Sequence, residues 1–247
     1  QKDHAKSQRL PWSDAKAAAS AKEAFDRLWN LKWTPPGRGL WAFGTPMTME
    51  KRNSASLQNC AMVSTRDIDR NDPGALFAWT MDALMLGVGV GFDTLGNEKV
   101  MAIYAPTEPV ITYEIPDTRE GWVESLTLLI NSYLKPDQPR WVFDYSLIRP
   151  AGAPIKIFGG TAAGPDPLIR LHDHLFKMFE NRAGQKLTRR DIADIGNMIG
   201  VCVVSGNVRR SAELLMGRLD DEEFLSLKNY EKNPDRIGHG WMSNNSV

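Results

Sequence analysis

An α/β fold with a parallel sheet or barrel is predicted by two features of the sequence. Short segments rich in β-branched residues or glycine, typical of strands, are separated by long segments whose apolar residues recur at helical spacing. Neither an internal repeat nor a low-complexity tract interrupts this alternation. Strands that alternate with long helices are typical of a parallel α/β sheet or barrel.

The N-terminal part is predicted to be helical. Residues 13–32 form an amphipathic pattern that begins at a Ser-Asp pair and ends before a Pro-Pro-Gly sequence. Residues 35–56 are rich in Gly, Pro, Thr and Ser, which favours a loop. We expect this loop to carry Trp41 and Phe43 into the core.

The next segment predicts a strand, a turn, a helix and a second strand. The strand is expected at residues 60–64 and the turn at 69–72, where Asp72 can cap the following helix with Pro73 at its first position. One side of that helix is apolar, through Leu76, Phe77, Met81, Leu84 and Met85. The second strand alternates apolar residues with glycines, Gly87, Gly89 and Gly91.

The remaining elements are predicted by the same signals. We expect strands at 110–115, 141–143, 212–216 and 241–247, and helices at about 116–134, 166–182, 188–204 and 220–228. Gly184 is expected to end the third of the long helices. Thr188 and Asp191 form a capping-box pattern at the start of the fourth.

Composition excludes several classes of function. The 247 residues carry 30 basic and 30 acidic side chains, so bulk charge does not favour binding to nucleic acid or to a membrane surface. No apolar run approaches the ~18 residues that a membrane-spanning helix needs, and the N-terminal residues lack the apolar stretch of a signal peptide. Two cysteines do not make a disulfide framework, so we expect a reducing cytoplasm.

Cys60 and the glycine strand can be interpreted in two ways. Cys60 precedes the apolar Ala61, Met62 and Val63, so it can be a buried, inert thiol. Alternating glycines leave one face of a strand bare, which allows a ligand or another backbone to approach closely. The glycines are not a dinucleotide fingerprint, because Phe92 occupies the position of the third glycine and the glycines follow a helix.

Several separated motifs carry a resemblance to a known family. They are NCAMVST (59–65), LMLGVGVGFDT (84–94), PDTREGWV (116–123), FGGTAAGPDPLI (158–169), SGNVRRSAEL (205–214) and WMSNNSV (241–247). In this order they resemble the catalytic chain of the adenosylcobalamin-dependent (class II) ribonucleotide reductases, and most of all its monomeric, triphosphate-reducing members. The resemblance implies the first part of a ten-stranded α/β barrel at 57–247, preceded by an N-terminal helical segment and loop at 1–56.

The resemblance implies reduction of ribonucleoside triphosphates to deoxyribonucleoside triphosphates by a thiyl-radical mechanism. Cys60 matches the first redox thiol, which faces the ribose and forms a disulfide with a cysteine from later in the chain, and the substrate is expected to contact Asn59, Gly87, Gly89 and Gly91. The radical cysteine, its neighbouring glutamate and the second redox cysteine are expected after residue 247. Adenosylcobalamin is expected to bind mainly outside this chain. The implied partners are the remainder of the reductase chain and a thioredoxin-type reductant.

Two loops are implied to bind a deoxynucleoside triphosphate effector and to select the substrate base. Their residues are Gly160 and Gly164 in the first loop and Ser205, Gly206, Asn207, Arg209 and Arg210 in the second. Asp67 falls near the family position that helps to recognise the effector nucleotide. The paired arginines can also be ordinary solvated charges. Alternatively, their guanidinium groups can each donate several hydrogen bonds to nucleotide phosphates or carbonyls. An insertion at about 95–157 is implied to replace a partner subunit at the effector site.

Other interpretations remain open. A non-catalytic nucleotide-binding or regulatory domain would keep the loops without the chemistry, and a thiol oxidoreductase would use Cys60 with Cys202, although no C-x-x-C is present. We expect Cys202 to be a core residue. His172 and His174 lie two apart on a predicted helix and point to different faces, so no metal site is predicted. The carboxylates Glu120, Asp144, Glu213 and those at 220–223 are expected to cap helices or to be solvated.

Overall fold

The computed structural model describes residues 2–51, 53–98, 102–155, 160–205 and 211–247. The chain divides into two compact units, Gln1–Phe43 and Gly44–Val247. In the described ranges, no helix is both long enough and apolar enough to cross a membrane.

The described residues form both α-helices and β-strands. The α-helices of the described residues are α1 (Lys2–Ser7), α2 (Asp14–Trp29), α3 (Gly37–Ala42), α4 (Pro46–Met49), α5 (Gly74–Met85), α6 (Arg119–Leu134), α7 (Asp166–Arg182), α8 (Arg189–Val204) and α9 (Glu222–Ser226). The strands are β1 (Cys60–Val63), β2 (Gly89–Asp93), β3 (Thr107–Glu114), β4 (Pro139–Asp144), β5 (Glu213–Met216) and β6 (Ser243–Ser246). Short 3-10 helices lie at Ser54–Leu57, Thr65–Asp67, Leu95–Glu98 and Pro234–Gly238.

The smaller unit contains α1, α2 and α3. The predicted helix at 13–32 is confirmed as α2, which Ser13 caps by accepting the backbone N–H of Lys16 at 3.3 Å. The expectation that Trp41 and Phe43 enter the core is wrong, because their side chains are 46% and 62% exposed. The segment that holds Trp41 is a short helix rather than a loop, and Ala42 is its only buried residue.

The central sheet is parallel, and its strand order is β1-β2-β5-β6. Val90, Phe92 and Leu215 are buried on one face, which α5 and α8 cover. The opposite face is open and carries alternate residues of the same strands. The predicted α/β class with a parallel sheet is therefore confirmed. A second parallel sheet pairs β3 with β4.

Four long helices form the main core of the larger unit. Helix α5 packs against α6 and α8, and α7 also packs against α6 and α8. The predicted apolar side of α5 is confirmed, since all five of its residues are buried. Burying a large aliphatic or aromatic side chain contributes roughly 1.5–3 kcal/mol. These contacts therefore hold α6 and α7 firmly against the two helices that cover the sheet.

The start of α5 is capped from a distant part of the chain. Asp72 does not cap it; instead the Asn131 side chain of α6 accepts the backbone N–H of Gly74 at 2.8 Å and donates to Asp72 at 2.8 Å. A Cβ on Gly74 would lie 3.0 Å from Asn131 Oδ1, so the glycine makes room for the cap. The predicted Asp72 cap is wrong because this tertiary contact supplies the acceptor.

Other predicted helix ends agree with the structure. Helix α7 has the predicted bounds, and Gly184 follows it with a φ of +81°. At α8, Thr188 Oγ1 accepts the N–H of Asp191 at 3.2 Å while Asp191 accepts the N–H of Thr188 at 2.7 Å, so the capping box is confirmed. Gly87 differs from its prediction. It precedes β2 with a φ of +77°, in the turn after α5, where glycine avoids a steric cost.

Candidate active site on the open sheet face

The open face of the sheet presents the Cys60 thiol beside a bare backbone surface. Cys60 pairs in register with Gly89 and Met62 with Gly91, so thiol, thioether and two glycines share one face. Cys60 is exposed and Met62 is 56% exposed. Farther across the same face, Gly91 is followed by Leu214 and Asn244.

The glycines of β2 leave space next to the thiol. A Cβ added to Gly89 would lie 3.8 Å from Cys60 Sγ and 3.6 Å from the Asn59 carbonyl oxygen. A Cβ on Gly91 would lie 3.4 Å from the Met62 side chain. Side chains at these positions would therefore occupy the volume above the backbone. A flat or sugar-like ligand can instead approach the backbone itself.

The two cysteines have different environments. Cys60 lies on the open face, whereas Cys202 is 5% exposed within the helical core, and neither forms a disulfide. The expected burial of Cys202 is confirmed. A buried thiol in an apolar helix is poorly placed to exchange with a substrate or a reductant.

Asp93, which the sequence interpretation missed, organises the opposite end of β1 and β2. Its buried carboxylate accepts hydrogen bonds from Ser64 Oγ at 2.6 Å and from Thr65 Oγ1 at 2.5 Å. It also accepts the backbone N–H groups of Thr65 and Leu95 at 3.1 and 3.0 Å. These bonds join the ends of two neighbouring strands. The signal was present in the Ser-Thr pair after β1 and the aspartate that ends the glycine motif.

A small cavity of about 130 Å³ adjoins the predicted effector loop. Thr161, Ala162, Ala163 and Gly164 line one side, and Asp117, Thr118 and Arg119 at the start of α6 line another. Arg149 also lines it and donates to Asp117 at 2.6 Å. Asp117 belongs to the PDTREGWV motif, whereas no pattern in the sequence singles out Arg149. A phosphate in this cavity would compete with Asp117 for the Arg149 guanidinium.

The predicted site residues are only partly brought together. Gly164 lines this cavity, but Gly160, Asp67 and Ser205 do not. Asp67 is exposed in a 3-10 helix, and Ser205 ends α8 with its hydroxyl donating to the Val201 carbonyl at 2.5 Å. The predicted residues Gly206, Asn207, Arg209 and Arg210 lie outside the described residues.

A buried polar network lies on the covered face of the sheet. Glu213 of β5 is 2% exposed and accepts the Asn197 side-chain amide at 2.9 Å, so the expectation that it is capping or solvated is wrong. Asn197 in turn accepts from Arg236 at 3.1 Å. Burial raises the pKa of Glu213 to about 8, against the lesser opposing effect of the Asn197 hydrogen bond. The carboxyl of Glu213 is therefore mostly protonated at neutral pH.

The network continues to Asp194 on α8. Arg236 donates to Asp194 at 2.6 Å, and His239 lies within hydrogen-bonding distance of it at 2.9 Å. Burial acts to raise the pKa of Asp194, but the His239 hydrogen bond and the Arg236 charge together leave it below the usual value. Asp194 is thus the ionised end of this network, and Glu213 is the neutral end.

The two histidines of α7 have different environments, as predicted. His172 is buried, with Nδ1 2.8 Å from the Tyr145 hydroxyl, and desolvation lowers its pKa to about 3. His174 is exposed on another face. In the described ranges, no cluster of histidine, cysteine, aspartate or glutamate side chains is arranged to hold a metal ion.

Comparison with known proteins identifies the family. Residues 93–179 match a family model described as the insertion domain of B12-dependent ribonucleotide reductase, and residues 1–45 match the ribonucleotide reductase alpha domain. The crystal structure of a B12-dependent (class II) ribonucleotide reductase superposes on 97% of this chain, and on 40% of its own, with a TM-score of 0.82 and 32% identity. The chain belongs to the class II ribonucleotide reductases.

Curated class II relatives match almost the whole chain. The adenosylcobalamin-dependent ribonucleoside-triphosphate reductase of Euglena gracilis is 46% identical across 96% of this chain and 32% of its own length. A probable enzyme of the same name from Dictyostelium discoideum is 44% identical across 96% of this chain and 33% of its own. The Lactobacillus leichmannii reductase is 36% identical across 92% of this chain and 37% of its own length. This chain therefore spans about a third of the length of these reductases.

Proposed function

We propose that this chain supplies the ribose-facing and effector-facing part of an adenosylcobalamin-dependent ribonucleoside-triphosphate reductase. The observation that carries the proposal is the register of β1 and β2, which sets the exposed Cys60 thiol against Gly89. A ribose that lies on the bare backbone of β2 can reach that thiol. The names of the relatives support the triphosphate as substrate.

In the proposed reaction, Cys60 is one of two thiols that supply electrons. Each thiol loses a hydrogen and the two sulfurs form a disulfide, while the ribose exchanges its 2′ hydroxyl for hydrogen and one water leaves. The second redox thiol and the thiol radical that activates the ribose come from outside this chain. The burial of Cys202 in the helical core argues against that role for its thiol. A thioredoxin-type reductant then restores the thiols.

The described residues of the open sheet face do not by themselves form a site for adenosylcobalamin. That face offers a thiol, a thioether, glycines, a leucine and an amide, and no cation for an anionic cofactor. The cofactor supplies the radical in this family. The contribution proposed for this chain is the surface on which the ribose lies and one redox thiol.

We propose that the small cavity beside Arg149 is one end of the effector site, since about 130 Å³ holds only part of a nucleotide. Cys202 and Val203 of α8 line it, and the proposed specificity loop, residues 205–210, follows them directly. After the loop, the Ala212 carbonyl accepts the N–H of Val90 at 2.9 Å. The loop thus joins the effector cavity to the strand next to the glycines. This connection supports a role for Arg209 and Arg210 in matching effector to substrate.

The proposed organisation keeps an N-terminal helical segment at 1–56 and the first part of the catalytic barrel at 57–247, with the effector-site insertion at about 95–157. The ribonucleoside triphosphate, the deoxynucleoside triphosphate effector and the remainder of the reductase are the proposed partners. Because the chain spans about a third of the related enzymes, we expect the 247 residues alone not to reduce ribonucleotides.

A chimera tests the proposal. The N-terminal third of the Euglena gracilis reductase is replaced by this chain, and adenosylcobalamin-dependent formation of deoxynucleotide is measured over many turnovers. The Cys60→Ser chimera is expected to lose multiple turnover, since serine cannot form the disulfide. The Cys202→Ala chimera is the matched control and is expected to retain it, with a stability loss of about 1 kcal/mol. Equal activity of the two variants would disprove the proposed role of Cys60.

A further inference from the structure

A second cavity, of about 630 Å³, lies between α7 and α8 and is also lined by Asp235, Gly238 and His239. Its volume is within the range of ~300–1,000 Å³ that holds small organic ligands. Part of its wall is apolar, through Leu171, Met178, Met198 and Val201. This wall can contact a flat or hydrophobic group. The cavity differs from the proposed effector site, with which it shares Cys202.

Three basic side chains of α7 line this cavity in a row. Arg170, His174 and Lys177 are spaced four and three residues apart, which places them on one side of the helix. The row is about 10 Å long at 1.5 Å per residue. None of the three has a hydrogen bond or ion pair with a described residue. The cavity therefore offers two cations, Arg170 and Lys177, with an imidazole between them, that make no such bond to the described residues.

The acidic side chains of the same cavity do not cancel these cations, because each aspartate is already paired. Asp191 binds Arg182 at 3.1 Å, Asp194 binds Arg236 at 2.6 Å and His239 at 2.9 Å, and Asp235 binds Arg190. The charges of Arg170 and Lys177 are left over. Burial is the main cause of a lowered pKa of His174, with smaller contributions from His239 and Lys177 against the opposing effect of Asp173.

Arg182 also lines the cavity, but its guanidinium is engaged by the fold. Arg182 uses one Nη to bind Asp191 and the other to bind the Lys186 carbonyl at 3.2 Å. Its Nε–H is buried and has no acceptor among the described residues. A buried donor without a partner costs about 1–3 kcal/mol.

We propose that the cavity between α7 and α8 binds a nucleoside polyphosphate, with the phosphates along Arg170, His174 and Lys177 and the base against the apolar wall. Two cations about 10 Å apart along the helix, with an imidazole donor between them, match several charges spread along a ligand better than one carboxylate. The apolar wall, formed by both helices, favours a ligand that also carries a ring. This site is additional to the proposed effector site and does not depend on the proposed reductase activity.

Calorimetric titration of the 247-residue chain with ATP and with inorganic tripolyphosphate tests the proposal. ATP is expected to bind at least about tenfold more tightly than tripolyphosphate, because the base adds apolar contact. Arg170→Glu with Lys177→Glu is expected to weaken ATP binding about tenfold or more. Lys232→Glu, which reverses an exposed charge outside the cavity, is the matched control and is expected to bind ATP normally.

Two further variants separate this site from the effector site and from misfolding. Arg149→Ala alters only the effector cavity and is expected to leave this ATP binding unchanged. If the double charge reversal loses the helical circular dichroism of the parent chain, Arg170→Gln with Lys177→Gln takes its place, with the same expected direction. Decanoate, a single carboxylate with an apolar tail, is titrated as a third probe. The proposal is overturned if ATP does not bind, if neither double variant weakens ATP binding, or if tripolyphosphate or decanoate binds as tightly as ATP.

Discussion

Replacing Glu213 by glutamine should remove a pH-dependent loss of stability from the larger unit. The Glu213 carboxyl is buried between β5 and α8, and one of its oxygens has no partner among the described residues. A Cβ on Gly200 would overlap that oxygen, so the carboxyl occupies space that the glycine leaves free. Glutamine has the shape of the protonated acid and can still accept the Asn197 hydrogen bond.

The magnitude follows from the pKa of Glu213, which burial raises from 4.5 to about 8. In the unfolded chain the carboxyl loses its proton near pH 4.5, whereas the folded chain keeps it until about pH 8. The unfolding free energy is therefore highest, as far as Glu213 is concerned, below pH 4.5 and falls as the pH rises toward 8. At 1.36 kcal/mol per pKa unit, the difference amounts to ~5 kcal/mol above pH 8, and to less than ~1 kcal/mol at pH 5.

Urea unfolding of the parent chain and of Glu213→Gln, followed by tryptophan fluorescence between pH 5 and 9, measures this difference. We expect similar unfolding free energies at pH 5 and a more stable glutamine variant, by about 4 kcal/mol, at pH 8.5. Glu231→Gln, at an exposed glutamate, is the control and should show no comparable trend. If Glu213→Gln is destabilised by the same amount at every pH, the native carboxyl is ionised and the reasoning fails.

Three further predictions test other parts of the structure. Asn131→Ala should lower the unfolding free energy by about 1–2 kcal/mol in urea, because the first N–H of α5 loses its cap. Gly196→Ala should cost about 1–3 kcal/mol because its Cβ would overlap a buried phenylalanine ring of β2, whereas Gly238→Ala, with open space around it, should cost little. Arg209→Ala or Arg210→Ala in the chimera should weaken effector-dependent substrate choice, measured by competition among four ribonucleoside triphosphates, by roughly 5- to 150-fold while basal reduction persists; unchanged ratios would make these arginines ordinary surface charges.

Features set by neighbouring residues could be predicted from the sequence. The capping box of α8 depends on Thr188 and Asp191, three residues apart, and the bounds of α7 follow from its apolar period and Gly184. These signals are local, so one sequence contains all of them. The alternation of β2 likewise predicted a bare strand face, although the structure moves Gly87 out of the strand.

Features set by distant residues could not be predicted in this way. Asn131 caps a helix that begins 57 residues earlier, and its sequence neighbours give no indication of that role. Glu213 looks like an ordinary surface glutamate until α8 covers β5. Trp41 and Phe43 have the residue types of a core, but the six residues of α3 bury only Ala42. The sequence pattern identifies which residues are apolar or polar, and tertiary packing decides what surrounds each of them.

The two faces of β5 connect the proposed ribose surface to the helix that lines the two cavities. On the open face, Leu214 lies beside Gly91 of the glycine strand, and on the covered face Glu213 binds Asn197 of α8. Helix α8 also lines both cavities through Cys202. A ligand in either cavity that shifts α8 would therefore act on the strand next to the proposed ribose surface. Because α8 is held by buried hydrogen bonds as well as by apolar contacts, such a shift would change the position of the whole strand rather than of one side chain.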